Sequence, residues 1–502
     1  MNSTVFIESS HGNYYLYDFL KKEFMPCHPI IYVCYILDRE DKLNNLLQYK
    51  NVNGITLKQA FGESTVEYYK SKYIFLKERN YFTTFFKEPF FPYTSQLLKE
   101  TLSNIHNIVF EVTESCNLEC AYCVYGHLYS NYDPRTNKKQ NIETVKAVIN
   151  YLEPFWSSNL NKSSHQNIMI GFYGGEPLMN FSLIRSSVDF LKKKETATRK
   201  FEYNMTTNAT LLHHHIDFLV ENEFNITISL DGSKQGQSYR IFREEKDNSF
   251  DKVFANLKMI QTKYPDFFKK HIFFNSVLHN RNSVAEIHDF IYKEFGKIPE
   301  IHSLNNTGVL PEKKKEFDNM FISYSQSIEE KGINLIQERF TSDHRLFNLS
   351  QFLLWYGNNE FYESESLLHS EYITNRAMSG TCAPFQRKMY ITAYNKILAC
   401  ERIGEHYVLG NIVNGKVCLN LDEIALKYNK YYNAIYKQCK DCYMINGCHQ
   451  CIFQLKNLDT DMLVCNSYCD EKQITKYLKS HIDLLESQQF KYSKLFNEGT
   501  LI

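Results

Sequence analysis

From about residue 105 to residue 306 the apolar positions alternate between two periods. Short runs rich in Ile, Val, Phe and Tyr fall at Ile108–Thr113, Ile168–Tyr173, Phe201–Thr206, Ile226–Leu230, Ile272–Val277 and Pro299–Ser303, with the length and composition of buried strands. Between them, Ile142–Leu152, Phe181–Lys194, His215–Glu223, Phe250–Lys263 and Val284–Phe295 carry apolar residues at helical intervals. Regular strand–helix alternation predicts an α/β fold, a parallel sheet wound by right-handed crossovers into a partial (β/α)6, TIM-like barrel. Chemistry in such folds sits at the C-terminal ends of the strands.

The flanks follow other patterns. In residues 1–95, Val5–Glu8 and Tyr14–Tyr17 flank a turn at His11-Gly12-Asn13, which predicts a β-hairpin, and Ile30–Val33 adds apolar packing. Asp41–Leu47 and Ser64–Leu76 predict helices, the second with Ser64 or Thr65 as N-cap. Residues 307–380 are charged, then aromatic, and form a bridging segment. Residues 381–470 are rich in cysteine and loops, and 471–502 form a C-terminal tail in which Glu471–Phe496 reads as an amphipathic helix.

Charge narrows the function classes. The 502 residues hold 57 Lys+Arg and 57 Asp+Glu, and no dense basic block, so nothing draws the chain to a phosphate backbone and no nucleic-acid partner is expected. No apolar run is long enough for a membrane span, and the first residues lack the basic and apolar regions of a signal peptide, so a cytoplasmic protein is expected. Aromatic residues make up 15% of the chain, enough for aromatic cores and stacking surfaces.

Of the 14 cysteines, eleven fall into two tight groups, which in a reducing compartment points to metal. Cys116, Cys120 and Cys123 form C-x3-C-x2-C just after the first barrel strand. Three thiolates on a short loop hold three irons of a 4Fe-4S cube and leave the fourth open to a small molecule. Structural zinc takes four ligands, usually as two pairs, and no fourth ligand stands nearby.

The run from Glu114 to Cys123, Tyr122 included, resembles the signature of radical S-adenosylmethionine (SAM) enzymes. Gly174-Gly175-Glu176-Pro177, past the second strand, is similar to that family's GGEP motif, which implies a hold on the SAM amino group. Thr206 to Thr210, with Asn208, and Ser229-Leu230-Asp231-Gly232 follow the third and fourth strands, as do the family's contacts to the SAM carboxylate and ribose; Arg243 is the candidate carboxylate partner. Each motif alone is an ordinary turn signal. In this order, at the ends of successive strands, they imply a cofactor site for SAM and a 4Fe-4S cluster.

The second group comprises Cys382, Cys400, Cys439, Cys442, Cys448, Cys451, Cys465 and Cys469. It resembles the SPASM extension of radical SAM enzymes, which implies two auxiliary 4Fe-4S clusters. The resemblance assigns Cys439, Cys442, Cys448 and Cys469 to the outer cluster and Cys382, Cys400 and Cys451 to the inner one. The inner cluster's fourth ligand is either Cys465 or the substrate. The competing reading is a zinc knuckle at Cys439, Cys442, Cys448 and Cys451. Glu401, next to Cys400, is the candidate acid/base residue. Cys27, Cys34 and Cys418, outside both groups, are expected to be buried, and His213-His214-His215 is expected to be surface.

The resemblance implies an oxidoreductase-like radical enzyme: a peptide maturase that generates a 5'-deoxyadenosyl radical and modifies a ribosomally made precursor peptide by crosslink, thioether or epimerisation. A winged-helix-like N-terminal domain would bind the leader by strand addition. A reductant such as flavodoxin or ferredoxin would be a partner. The alternatives are an anaerobic sulfatase-type maturase that forms formylglycine, and a non-catalytic metal-binding scaffold.

Overall fold

The computed structural model describes residues 1–51, 53–84, 92–130, 135–163, 167–306, 308–324, 326–327, 352–353, 356–357, 383–444, 448, 450–455, 458, 463–465 and 467–487. Most of the expected bridging segment 307–380, Cys382 and the tail beyond residue 487 lie outside them. The chain divides into two compact units: Met1–Phe91 with Arg339–Thr381 and Lys430–Ile502, and Pro92–Glu338 with Cys382–Asn429.

In the first unit, β1 (Thr4–Glu8) and β2 (Tyr14–Asp18) form the expected hairpin, with Thr4 opposite Asp18 and Glu8 opposite Tyr14. The turn places Gly12 at φ 80°, where a side chain is strained. β3 (Glu23–Pro26) adds a third antiparallel strand beside β2. Ile30–Val33 belongs to a helix, Pro29–Arg39, because Pro29 opens its first turn and the His28 ring caps it. Asp41–Leu47 gives only a 3-10 turn, Leu43–Gln48. The helix Glu63–Lys77 starts from Gly62, with neither Ser64 nor Thr65 as its cap.

The hairpin packs on both faces. Leu16 meets Ile30, Cys34, Val66 and Tyr73 on one side. Val5, Ile7, Tyr17 and Phe19 meet Cys442, Cys469, Ile474 and Leu478 on the other. Ile474, Leu478 and Ile482 recur every four residues along the helix Glu471–Ser487 and make its buried stripe.

The second unit is built on a large mixed sheet. Its strands are β4 (Asn107–Thr113), β6 (Ile168–Gly174), β7 (Phe201–Thr207), β8 (Asn225–Ser229), β10 (Ile272–Leu278), β11 (Glu300–Ser303), β12 (Met389–Ile391), β13 (Lys396–Leu398), β14 (Gly410–Val413) and β15 (Lys416–Leu419); β5 (Leu118–Cys120) and β9 (Arg240–Phe242) pair separately. The order is β11-β10-β8-β7-β6-β4-β12-β13-β14-β15. The run from β11 to β4 is parallel, so all six strands expected from periodicity form in sequence order. β12 then joins β4 in parallel, and β13, β14 and β15 continue antiparallel.

The sheet's two faces differ. Ile108, Phe110 and Val112 of β4 are fully buried, and their alternates Val109 and Glu111 point the other way, into the interior. Asn395, at φ 64°, makes the tight turn between β12 and β13. Cys34 is buried as expected, Cys27 is half-buried, and Cys418 is exposed on β15, an edge strand whose side chains alternate to solvent. Among the described residues no helix is long and apolar enough to cross a membrane.

Phe110 sits at the junction of the parallel strands and β12. Phe110→Ala should lower stability by about 3–5 kcal/mol, read as an earlier urea midpoint. Phe273→Ala on β10, where the ring is 47% exposed, should change it by less than about 0.5 kcal/mol.

Candidate active site

β4 delivers the chain to Cys116, and the backbone on either side of that loop is clamped. On one side Gly175 N–H donates to Thr113 O (2.8 Å) and Glu176 N–H to Ser115 O (2.8 Å). This approach requires glycine. A Cβ on Gly174, at φ 130°, would lie 2.2 Å from Thr113 O, and one on Gly175 would lie 2.2 Å from Ser115 O. Pro177 then opens the short turn Pro177–Asn180.

On the other side β5 pairs antiparallel with β9, setting Cys120 opposite Arg240. Arg243 N–H donates to Asn117 O (2.9 Å) and Ala121 N–H to Tyr239 O (3.1 Å). Tyr122, between the last two cysteines, is buried, donates its hydroxyl to Asp231 and stacks on His279. Arg240 grips the same carboxylate through Nε (2.8 Å) and Nη2 (2.9 Å), and Val277 N–H adds a third donor (2.9 Å). Burial opposes the charge on Asp231, but Arg240 and His279 outweigh it and hold the carboxyl well below its usual range.

The positions expected to contact SAM divide by this geometry. Thr206 and Ser229 are half-buried near the C-terminal ends of β7 and β8. Asp231 is wholly occupied within the protein. Arg243 is exposed, whereas Arg240, three residues earlier, is the buried arginine opposite Cys120. No sequence signal singled out Arg240; the pairing of β9 with β5 sets it opposite Cys120.

Glu176 is fully buried. Its Oε1 accepts from Thr207 Oγ1 (2.7 Å) and Leu178 N–H (3.1 Å), and its Oε2 from Asn208 N–H (2.8 Å). Burial pushes its carboxyl up to about 7 although these donors pull it down. Asn208 Nδ2 donates to Asn117 Oδ1 (2.8 Å) and reaches Cys116 Sγ (3.8 Å). One carboxylate therefore fastens the Gly-Gly-Glu loop to the end of β7, and Asn208 carries that order on to the first cysteine.

Cys116 Sγ also accepts Leu118 N–H (3.4 Å). Burial, helped by the neighbouring thiols, pushes Cys116 up to about 11 and Cys120 higher still. A buried thiolate here needs a positive partner, and a bound iron–sulfur cluster supplies it. The donor set fits such a cluster held by Cys116, Cys120 and Cys123.

Beside this loop the second unit holds a polar cavity lined by Glu111, Glu114, Arg135, Tyr390, Glu401 and Glu405, among others. Glu111 comes from β4, directly across from Tyr173 of β6. Its Oε2 accepts Ala393 N–H (3.0 Å), and burial pushes its carboxyl up to about 7. Glu401 lies against Cys400, with Sγ to Oε2 at 3.4 Å, and both its oxygens accept from Lys388 Nζ (2.9 and 3.1 Å). Burial works against its charge, yet Lys388 prevails and its pKa is lowered. The carboxylate is ionised and only partly exposed.

The second cysteine group divides between the units. In the first unit Cys439 is raised to about 12 by burial and then by Cys442, Cys448 and Cys465. Cys442 Sγ accepts Cys469 N–H (3.4 Å), and Tyr443 N–H donates to Cys469 O (3.0 Å). Cys465 therefore stands near Cys439 and Cys448, and Cys469 near Cys442, in the same unit. Cys451 caps the turn Ile452–Gln454 in the same unit, Cys400 belongs to the second unit, and Cys382 lies outside the described residues.

These elements are those of the radical SAM superfamily, which matches residues 110–291. That stretch, which carries β4 to β10 and the Cys116–Cys123 loop, is similar to that superfamily. It is 29% identical over 199 residues to a cysteine-type anaerobic sulfatase-maturating enzyme of Clostridium novyi (39% of this chain, 49% of that protein). It is 24% identical over 214 residues to the radical SAM cyclopropyl synthase TigE of Paramaledivibacter caminithermalis (42% of each). The chain thus spans about half the length of these curated relatives. The solved structure of native anSMEcpe with bound AdoMet aligns with TM-score 0.46 and 17% identity, covering 78% of this chain and 99% of that one.

Two outcomes follow from the site. Gly175→Ala should force the Gly-Gly-Glu loop off Ser115 and lower iron incorporation, measured as iron per chain after anaerobic reconstitution. Gly126→Ala, whose nearest contact would be 2.9 Å, should cost less. The second concerns pH. Because Glu111 holds its proton to about pH 7 in the folded protein, its contribution to stability is full below the unfolded carboxyl's pKa and is lost as pH rises through about 7. Glu111→Gln should flatten that fall, by up to on the order of 3 kcal/mol, in urea titrations of the cofactor-free protein from pH 4.5 to 8.

Proposed function

We propose that this protein is a radical SAM peptide maturase of the SPASM type. The observation that carries the reading is the loop of Cys116, Cys120 and Cys123, clamped between the Gly-Gly-Glu loop and β9. When bound there, a 4Fe-4S cluster and SAM supply the one-electron chemistry that yields a 5'-deoxyadenosyl radical. This chain's residues do the rest. Gly174, Gly175 and Glu176 fix the edge against which SAM would lie, Asn208 orients the first cysteine's loop, and the Asp231–Arg240–Tyr122 network holds the second strand of the clamp.

The polar cavity lined by Tyr125, Arg135 and Glu401 is the proposed place for the polar end of a substrate residue. Glu401, ionised and partly exposed there, is positioned to take a proton as the substrate is oxidised. In the first unit the thiols Cys439, Cys442 and Cys448, with Cys465 or Cys469, form the donor set of one auxiliary cluster. Cys400, against Glu401 in the second unit, is proposed as a ligand of the other. The three-stranded sheet β1-β2-β3 with its helices is the proposed winged-helix-like leader-binding element, receiving the peptide on an exposed strand edge.

A sulfatase-type maturase is the second reading, supported by the relative from Clostridium novyi and by the carboxylate next to Cys400. Deleting residues 1–95 does not separate the two, because the hairpin shares its core with Cys442 and Cys469. The substrates separate them: a cysteine-containing sulfatase peptide against leader-bearing precursors.

The test of the enzyme itself is anaerobic iron and sulfide analysis with 5'-deoxyadenosine release after SAM and dithionite. About twelve irons per chain are expected, falling by about four with loss of deoxyadenosine in Cys116→Ala/Cys120→Ala/Cys123→Ala. Zinc without sulfide, or no SAM cleavage, would leave a metal-binding scaffold.

A further inference from the structure

The polar cavity of the second unit contains a cation with unused donors. Arg135 stacks its guanidinium on Tyr125, 3.5 Å from the ring centroid, and spends Nη1 on Glu114 O (2.6 Å). Its Nε and Nη2 are buried and make no hydrogen bond among the described residues, and Nη2 stands 3.8 Å from Glu111 Oε1, beyond hydrogen-bond reach. The hydroxyl of Tyr390, from β12, is likewise buried without a partner among the described residues. Tyr390, Arg135 and Glu111 line the same cavity.

The other charges of the lining are matched. Glu401 is paired with Lys388 and Glu405 with Lys396. Glu114 Oε2 accepts from Thr136 N–H and Oγ1, Lys138 N–H and Tyr394 OH. Glu111 faces Arg135 but keeps its proton to about pH 7, so it is a weak counter-charge. A buried guanidinium with a free edge of two N–H donors, flanked by a phenol, presents the fork that a carboxylate accepts.

We propose that Arg135 and Tyr390 form a seat for a carboxylate carried by the substrate, either an acidic side chain of the peptide or its C-terminal carboxylate. This assignment rests on the peptide-maturase reading and names the substrate residue's chemistry. Nε and Nη2 of Arg135 donate to the two carboxylate oxygens, and the Tyr390 hydroxyl donates to one of them. Glu111, if ionised, competes for the same guanidinium.

The test is ligand-observed saturation-transfer NMR on the reconstituted full chain with three probes: acetyl-Gly-Glu-Gly-amide, acetyl-Gly-Gln-Gly-amide and acetyl-Gly-Gly-Gly with a free C-terminus. At least one carboxylate probe should bind about tenfold or more tighter than the glutamine probe. Which one does so identifies the source. Arg135→Gln should abolish the preference, Arg135→Lys should keep part of it, and Glu111→Gln should strengthen it. The wild-type comparison of probes needs no variant to fold. Equal binding of all three probes would overturn the seat. So would displacement of the carboxylate probe by saturating SAM, since the guanidinium would then serve SAM's own carboxylate. Binding is read without turnover, so a preference for carboxylate with no SAM cleavage would support the seat while sinking the maturase reading.

Discussion

The site depends on one close approach of backbone to backbone. Residues 113–115 and 174–176 are joined by two hydrogen bonds across a gap that admits no Cβ on either Gly174 or Gly175. Each group is the exit from a parallel strand, β4 or β6, and the strands are already in register below them. The loop that carries Cys116 is therefore an extension of the sheet and inherits the sheet's rigidity. A loop held this way keeps its thiols in place before any metal arrives, which limits the ordering cost of binding.

The opposite side of the loop is held by charge. Asp231 and Arg240 are both buried, and their pairing is bidentate. An ion pair of this kind is stable only when every polar atom is engaged, since removing one member leaves a buried charge alone. Tyr122 supplies one of the remaining donors to Asp231, so the aromatic residue inside the cysteine motif is tied to the end of β8. The positive member of the pair also stands opposite Cys120 across the β5–β9 pairing. The network thus does electrostatic as well as mechanical service at the cysteine loop.

Much of this arrangement was legible in the sequence because it is local. Six strands with β-period composition, each followed by a helical stretch, specify a parallel sheet in order, and turn motifs at strand ends announce themselves by glycine and asparagine. What was not legible is non-local or too short to carry a period. β12 has three residues, and its partner β4 lies some 280 positions earlier; nothing in Met389–Ile391 announces that pairing. Arg240 and Arg243 look alike in sequence, and only the β5–β9 register sends one inward and leaves the other toward solvent. Ile30–Val33 is apolar enough for either a strand or a helix, and Pro29 and His28 decide it.

The first unit shows a coupling that a linear reading of domains hides. The hairpin's apolar face, Val5, Ile7, Tyr17 and Phe19, and the segment bearing Cys442 and Cys469 bury one core. Polar ties run the same way: His11, Asn13 and Tyr15 bond Glu486, and Ser10 bonds Asp483, all on the C-terminal helix. The hairpin and the thiol-bearing segment therefore bury apolar surface against each other, and neither keeps that core without the other. The N-terminal hairpin and the cysteine-bearing segment some 440 residues later are therefore linked by packing.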